Sequence, residues 1–117
     1  MTAARAAAGT AAEELAARYL EGRGLAILER NWRTRGGEID LVAREGATLV
    51  FVEVRLRSSA AFGGAAASVD AHKQRRILRA ARLYLAGRAD VPCRCDVVVL
   101  DRLDPARVEW IRDAFSA

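Results

Sequence analysis

Lysine is almost missing from this chain: of 19 basic residues only Lys73 is lysine, and the others are arginine. Cysteine, histidine, proline and aromatic residues are also scarce, at 2 Cys, 1 His, 2 Pro and 6% aromatic. Two thiols in C-x-C spacing, Cys93 and Cys95, with His72 far away in sequence, cannot supply the four ligands of a structural zinc site. They read as packing residues in a reducing compartment. No apolar run approaches the ~20 residues that a membrane helix needs. The first residues also lack the charged-then-apolar pattern of a secretory leader. The expectation is a cytoplasmic protein with no membrane role.

What the chain does contain is the mixture of a globular domain. It is 52% hydrophobic and 29% charged over 117 residues, enough for one modest core and too short for two. A net charge of +4 and a pI near 9.8 favour a polyanionic partner, nucleic acid before membrane surface. Arginine and alanine are enriched throughout, so a single arginine carries little information by itself.

The spacing predicts a first helix from about Thr10 to Glu21, with Thr10 and Glu13 in capping-box spacing and residues 1–9 as a flexible segment ahead of a single domain over 10–117. A strand is predicted over Leu25–Trp32 and a second over Glu38–Arg44, with Ile39, Leu41 and Ala43 on one face and Glu38, Asp40 and Val42 on the other. After a turn at Glu45-Gly46, a third strand covers Thr48–Arg57. The Gly/Ala/Ser stretch Ser58–Ser68 reads as a mobile loop. Asp70 is placed to cap a second helix reaching about Ala86, with Gln74, Ile77, Leu78, Ala81, Tyr84 and Leu85 as its inner stripe. Arg94–Leu100 is apolar enough for an interior strand, and Arg107–Ile111 gives a short last one. The order is αβββαβ with a terminal strand, an α/β fold with a mixed central sheet flanked by helices.

Chemistry concentrates in Gly37-Glu38-Ile39-Asp40-Leu41 and Val52-Glu53-Val54-Arg55. Period two puts Glu53 and Arg55 on one face of their strand. In an unbulged hairpin with an even loop, paired positions sum to an odd number, so Asp40 and Glu53 share a face. A two-residue Glu45-Gly46 turn would set Asp40 opposite Phe51 and beside Glu53. Charges among Val50, Val52 and Val54 are costly unless solvated, paired or bound to a cation. Two carboxylates suit a hard ion, Mg²⁺ or Mn²⁺, that keeps water and accepts phosphate oxygens.

These same segments, with Gly63-Gly64, Lys73-Gln74 and Cys95-Asp96-Val97-Val98, resemble the YraN family, bacterial proteins similar to Holliday-junction resolvases and other PD-(D/E)XK nucleases. The resemblance covers nearly the whole chain and implies a restriction-endonuclease-like core. It implies Asp40 and Glu53 as catalytic metal ligands, Arg55 in the place usually held by lysine, and Glu13 as a further metal-side carboxylate. Arg55 can neutralise phosphate charge but cannot act as a base. Glu13 has the capping box as its alternative role, and Glu38 is a secondary site residue. The resemblance is also compatible with a homodimer, since one small domain offers little surface to grip a junction.

The second helix carries Lys73, Gln74, Arg75, Arg76 and Arg79, a candidate nucleic-acid-binding surface whose alternative is a solvated face. Gln74, on the inner stripe, either lines the site or satisfies a buried backbone group. Asp96 reads as a structural pairing. Few aromatics and no recognition helix favour reading of shape and phosphates over base sequence. The expected activity is a metal-dependent endonuclease on structured or branched DNA, DNA before RNA, with a non-catalytic nucleic-acid-binding module as the alternative.

Overall fold

A computed structural model describes the backbone of residues 3–8 and the whole of residues 9–57, 69–88 and 90–116. The expected mobile loop over 58–68 lies outside the described residues. The elements are α1 (Ala3–Gly22), β1 (Ala26–Thr34), β2 (Gly37–Glu45), β3 (Thr48–Arg57), α2 (Ala71–Leu85), β4 (Cys93–Asp101) and β5 (Val108–Phe115). This is an α/β fold. Its five strands form one mixed sheet in the order β1-β2-β3-β4-β5, antiparallel at every step except the parallel β3–β4 pair.

Each face of the sheet carries a helix. On one, Ala12, Ala16, Ala17 and Leu20 of α1 pack on Leu41, Ala43, Val50, Val52, Val98 and Leu100. On the other, Ile77, Ala80, Ala81 and Tyr84 of α2 pack on Ile39, Val42, Phe51, Val97 and Val99. Helix α1 begins at Ala3, well before Thr10, because alanine needs no cap to favour helix. Residues 3–9, expected as flexible, are therefore helical, and Thr10 lies inside the helix. The capping box is thereby ruled out, since Glu13 is not in the first turn. Helix α2 matches its expected ends, with the Asp70 carboxylate accepting from Lys73 N at 2.8 Å and Ala86 at the C-cap.

The β2–β3 hairpin turns at Gly46-Ala47, one residue later than expected, with Glu45 paired to Thr48. Gly46 takes a positive φ (+59°) while Ala47 does not, the pattern of a tight hairpin turn with glycine at its first position. The pairing shifts by two residues, which preserves parity. The ladder then stops at Leu41–Val52, while β2 stays paired with β1 down to Gly37. Across that fork strict alternation fails: Ile39 packs on the α2 side, whereas Leu41 and Ala43 pack on the α1 side. The expected common face for those three residues is thus corrected by the bend where β2 leaves β3.

At the opposite edge, β5 runs to Phe115, beyond the expected end at Ile111. A bulge opposite Asp96 keeps it paired. Asp96 is fully buried and accepts from Arg94 Nε, Trp110 Nε1 and the backbone N–H of Asp113, which has φ +50°. Its lone pairs are well occupied, as a structural carboxylate requires. Cys93 and Cys95 are both free thiols, and Cys95 is buried.

The start of β2 lies directly on α2. A Cβ at Gly37 would sit 2.5 Å from the Arg76 carbonyl oxygen and 3.0 Å from Ala80 Cβ. Arg79 Nε donates to the Arg35 carbonyl at 3.2 Å, and Arg76 Nε reaches the Gly36 carbonyl at 3.5 Å. Gly37→Ala is expected to lower stability by about 1–3 kcal/mol through overpacking, measured by urea unfolding. An unchanged midpoint would show that the hairpin can move off the helix without cost.

Candidate functional site

The fork between β2 and β3 opens a cleft of about 140 Å³ lined by Glu38, Asp40, Glu53, Lys73, Arg76 and Ile77. Asp40 and Glu53 are the first residues beyond the last pair of the ladder on their two strands. The N–H of Val54 donates to Asp40 Oδ2 at 2.9 Å, so a side chain serves the backbone where pairing has ended. The carboxyls of Asp40 and Glu53 lie against each other, close enough to hydrogen-bond when one carries a proton. Asp40 is pushed up to about 9, first by burial and then by its contact with Glu53.

Glu53 is only 5% exposed. Lys73 Nζ lies 3.0 Å from Glu53 Oε2, near enough to pair by charge. It is off the line of a hydrogen bond, and no donor among the described residues is aligned on that oxygen. Glu13 looks into the same corner from α1. Burial raises its carboxyl above the ordinary range, as do the like charges of Glu38 and Glu53, against a hydrogen bond from Asn31 and the charge of Arg33. Glu38 is paired across the first hairpin with Arg33 at 3.1 Å.

The donor set fits a hard cation of the Mg²⁺ type, which is held by one or two carboxylates and completes its shell with water and phosphate oxygens. Asp40 and Glu53 are the pair that would hold it, and Glu53 Oε2 is a buried acceptor without an aligned donor. Among the described residues no three acidic, histidine or cysteine side chains gather closely enough for a cage made by protein alone. Glu13 contributes negative potential from one side rather than closing such a cage.

The model of uncharacterised protein family UPF0102, the YraN family, matches residues 12–100, most of the chain. The chain belongs to that family. It is 52% identical to a UPF0102 protein of Methylobacillus flagellatus over 109 residues, covering 93% of this chain and 96% of that one. A UPF0102 protein of Dechloromonas aromatica is 56% identical over 111 residues, covering 95% and 90%. One from Nitrosomonas europaea is 55% identical over 109 residues, covering 92% of each.

The other residues singled out from the sequence of this UPF0102 chain fall in different places. Arg55 follows Glu53 on β3, paired in register with Val99, and is not among the described residues lining the cleft. Gln74 donates to the Val69 carbonyl at 2.9 Å and so satisfies the backbone entering α2. Arg76 lines the cleft, whereas Arg75, Arg79 and Arg82 line a shallow groove along the outer face of α2. His72 is exposed.

Sequence reasoning missed Asn31. It holds φ +50° in the middle of an edge strand and hydrogen-bonds Glu13. A strand-averse residue type that tolerates the left-handed region was the available signal.

The raised Asp40 carboxyl fixes a direction for stability. Below its ordinary value of 3.8 the group is protonated whether folded or not, and its own contribution to stability is fully present. As pH rises toward about 9 the unfolded chain gives up the proton more readily, and stability falls. In EDTA, the parent is expected to lose up to about 4 kcal/mol relative to Asp40→Asn between pH 5 and 8, at about 1.36 kcal/mol per pH unit. Urea midpoints at both pH values check this, and parallel pH profiles for the two proteins would refute it.

Proposed function

We propose that this UPF0102 chain is a metal-dependent phosphodiesterase acting on DNA, built on a restriction-endonuclease-like core. The observation that carries the reading is the contact of the Asp40 and Glu53 carboxyls in a cleft that also holds Lys73 and Arg76. Two acids forced together with cations beside them suit a site that takes a divalent ion on one side and a phosphate on the other. The αβββαβ order, with β1–β3 antiparallel and β4 parallel to β3, supports the same reading.

Bound between Asp40 and Glu53, Mg²⁺ or Mn²⁺ would supply Lewis-acid chemistry to a phosphate oxygen and an attacking water. The Val54 N–H holds Asp40 in orientation for that role. Arg76 and Lys73 bring positive charge to the rim where a phosphate would develop negative charge. Along the outer face of α2, Arg75, Arg79 and Arg82 have no carboxylate within ion-pair distance among the described residues, unlike Arg18, Arg30, Arg33, Arg94, Arg107 and Arg112. Unneutralised arginines beside the cleft favour a polyanion lying across both. None of the described helices is long and apolar enough to cross a membrane.

The decisive test is incubation with duplex, flap, single-stranded and four-way DNA in Mg²⁺ or Mn²⁺. Cleavage of at least one substrate is expected, with loss in Asp40→Ala. DNA binding without cleavage of any of them would replace this reading with a non-catalytic binding module. For the surface, Arg75 and Arg82 are the informative pair, because Arg76 and Arg79 also hold the hairpin carbonyls. The double variant Arg75→Ala/Arg82→Ala should keep its fold and weaken DNA binding across sequences. Its slope of log affinity against log salt should flatten by about 2. An unchanged slope would make α2 a solvated face.

A further inference from the structure

Lysine and arginine are not interchangeable, and this chain is almost without lysine: 19 basic residues include Lys73 as the sole lysine. That exception stands beside one of the two cleft carboxylates. Asp70 caps α2 by accepting from the Lys73 N–H at 2.8 Å, which sets the residue in the first turn of the helix, and Lys73 lines the cleft. Its ammonium lies 3.0 Å from Glu53 Oε2, while 42% of its side chain remains exposed. The ammonium thus meets the buried carboxylate while part of the side chain stays accessible to solvent. Arg55, the strand residue in the position where lysine is usual, does not line that cleft.

We propose that Lys73, reaching in from α2, is the positioning cation of this site: it orients Glu53 and presents a compact positive charge to the phosphate, the role that the strand motif would give to residue 55. This rests on the phosphodiesterase reading for the phosphate, but not for the pairing with Glu53. A compact, rotatable ammonium carries one point charge into a cleft of about 140 Å³. A planar guanidinium brings five donors in a fixed fork and fills more of the same space. A lone lysine at this position, in a chain otherwise built on arginine, fits that difference in shape. The ammonium also repels a second cation approaching Glu53, so its charge opposes metal affinity while favouring the chemical step.

The test separates these two effects. Lys73→Gln keeps a polar side chain beside Glu53 and lacks the charge, and circular dichroism checks its fold. Lys73→Arg keeps the charge without the compactness and serves if the glutamine variant does not fold. By isothermal titration without DNA, Lys73→Gln should bind Mn²⁺ about threefold or more tightly than the parent. In single-turnover cleavage at saturating DNA it should be on the order of 10²-fold slower, a larger loss than Arg55→Gln shows. Lys73→Arg should stay at least about tenfold slower than the parent.

Unchanged or weaker Mn²⁺ binding in Lys73→Gln would overturn the proposal, as would a parental rate in either Lys73 variant. Should the parent bind Mn²⁺ yet cut no DNA, the phosphodiesterase reading falls. The Mn²⁺ affinity of Lys73→Gln then decides alone whether Lys73 is the cation paired with Glu53.

Discussion

Two carboxyl groups pressed together at the buried floor of a cleft are costly to ionise together without a positive charge near them, and this part of the molecule is arranged around that constraint. Asp40 and Glu53 meet because β2 leaves β3 after the Leu41–Val52 pair, and side chains that would have been covered by a continuing ladder face one another across the gap. The responses lie close by. The Val54 N–H donates to Asp40, Lys73 pairs with Glu53, and Asn31 and Arg33 moderate Glu13 and Glu38 from the neighbouring hairpin. Each is a partial answer to the same charge, and together they leave Asp40 holding its proton well above the ordinary carboxylate range.

The contrast with Asp96 shows why burial of an acid does not by itself mark a site. Asp96 is more deeply buried than Glu53, but its oxygens are occupied by Arg94, Trp110 and the Asp113 N–H. It spans β4 and β5, holds the bulge of the last strand, and leaves no coordination capacity for a ligand. Arg94 in turn reaches Glu45, which also binds Arg112, so the network ties the Gly46 hairpin to the far edge of the sheet. Carboxylates with saturated partners hold the scaffold. Carboxylates that repel each other beside an open cleft are the ones available to bind.

The fork is seated on α2 by close backbone approach. Gly37 allows β2 to rest on α2 where any side chain would collide with the Arg76 carbonyl, and Arg76 and Arg79 bind the hairpin tip from the helix side. These contacts keep the first turn of α2, and with it Lys73, facing the fork. Arginines that read as a uniform basic surface in the sequence are therefore divided: some hold the hairpin while Arg75 and Arg82 remain turned to solvent.

The sequence by itself determined what depends on near neighbours. The period-two pattern of Thr48–Arg57 set β3, Asp70 announced the cap of α2, and parity put Asp40 and Glu53 on compatible positions before any register was known. Those features follow from backbone geometry repeated over a few residues. Only the tertiary structure decided the rest. The turn at Gly46-Ala47 moved the register by two, the fork sent Ile39 to the opposite side from Leu41, and the alanine-rich start of α1 freed Glu13 from capping. Lys73 stood out in the sequence only as the single lysine, a candidate phosphate contact, until α2 was docked across β2, which brought its ammonium to a carboxylate twenty positions earlier in the chain. Contacts of that kind depend on how separate elements pack, and no local pattern along the chain records the distance between them.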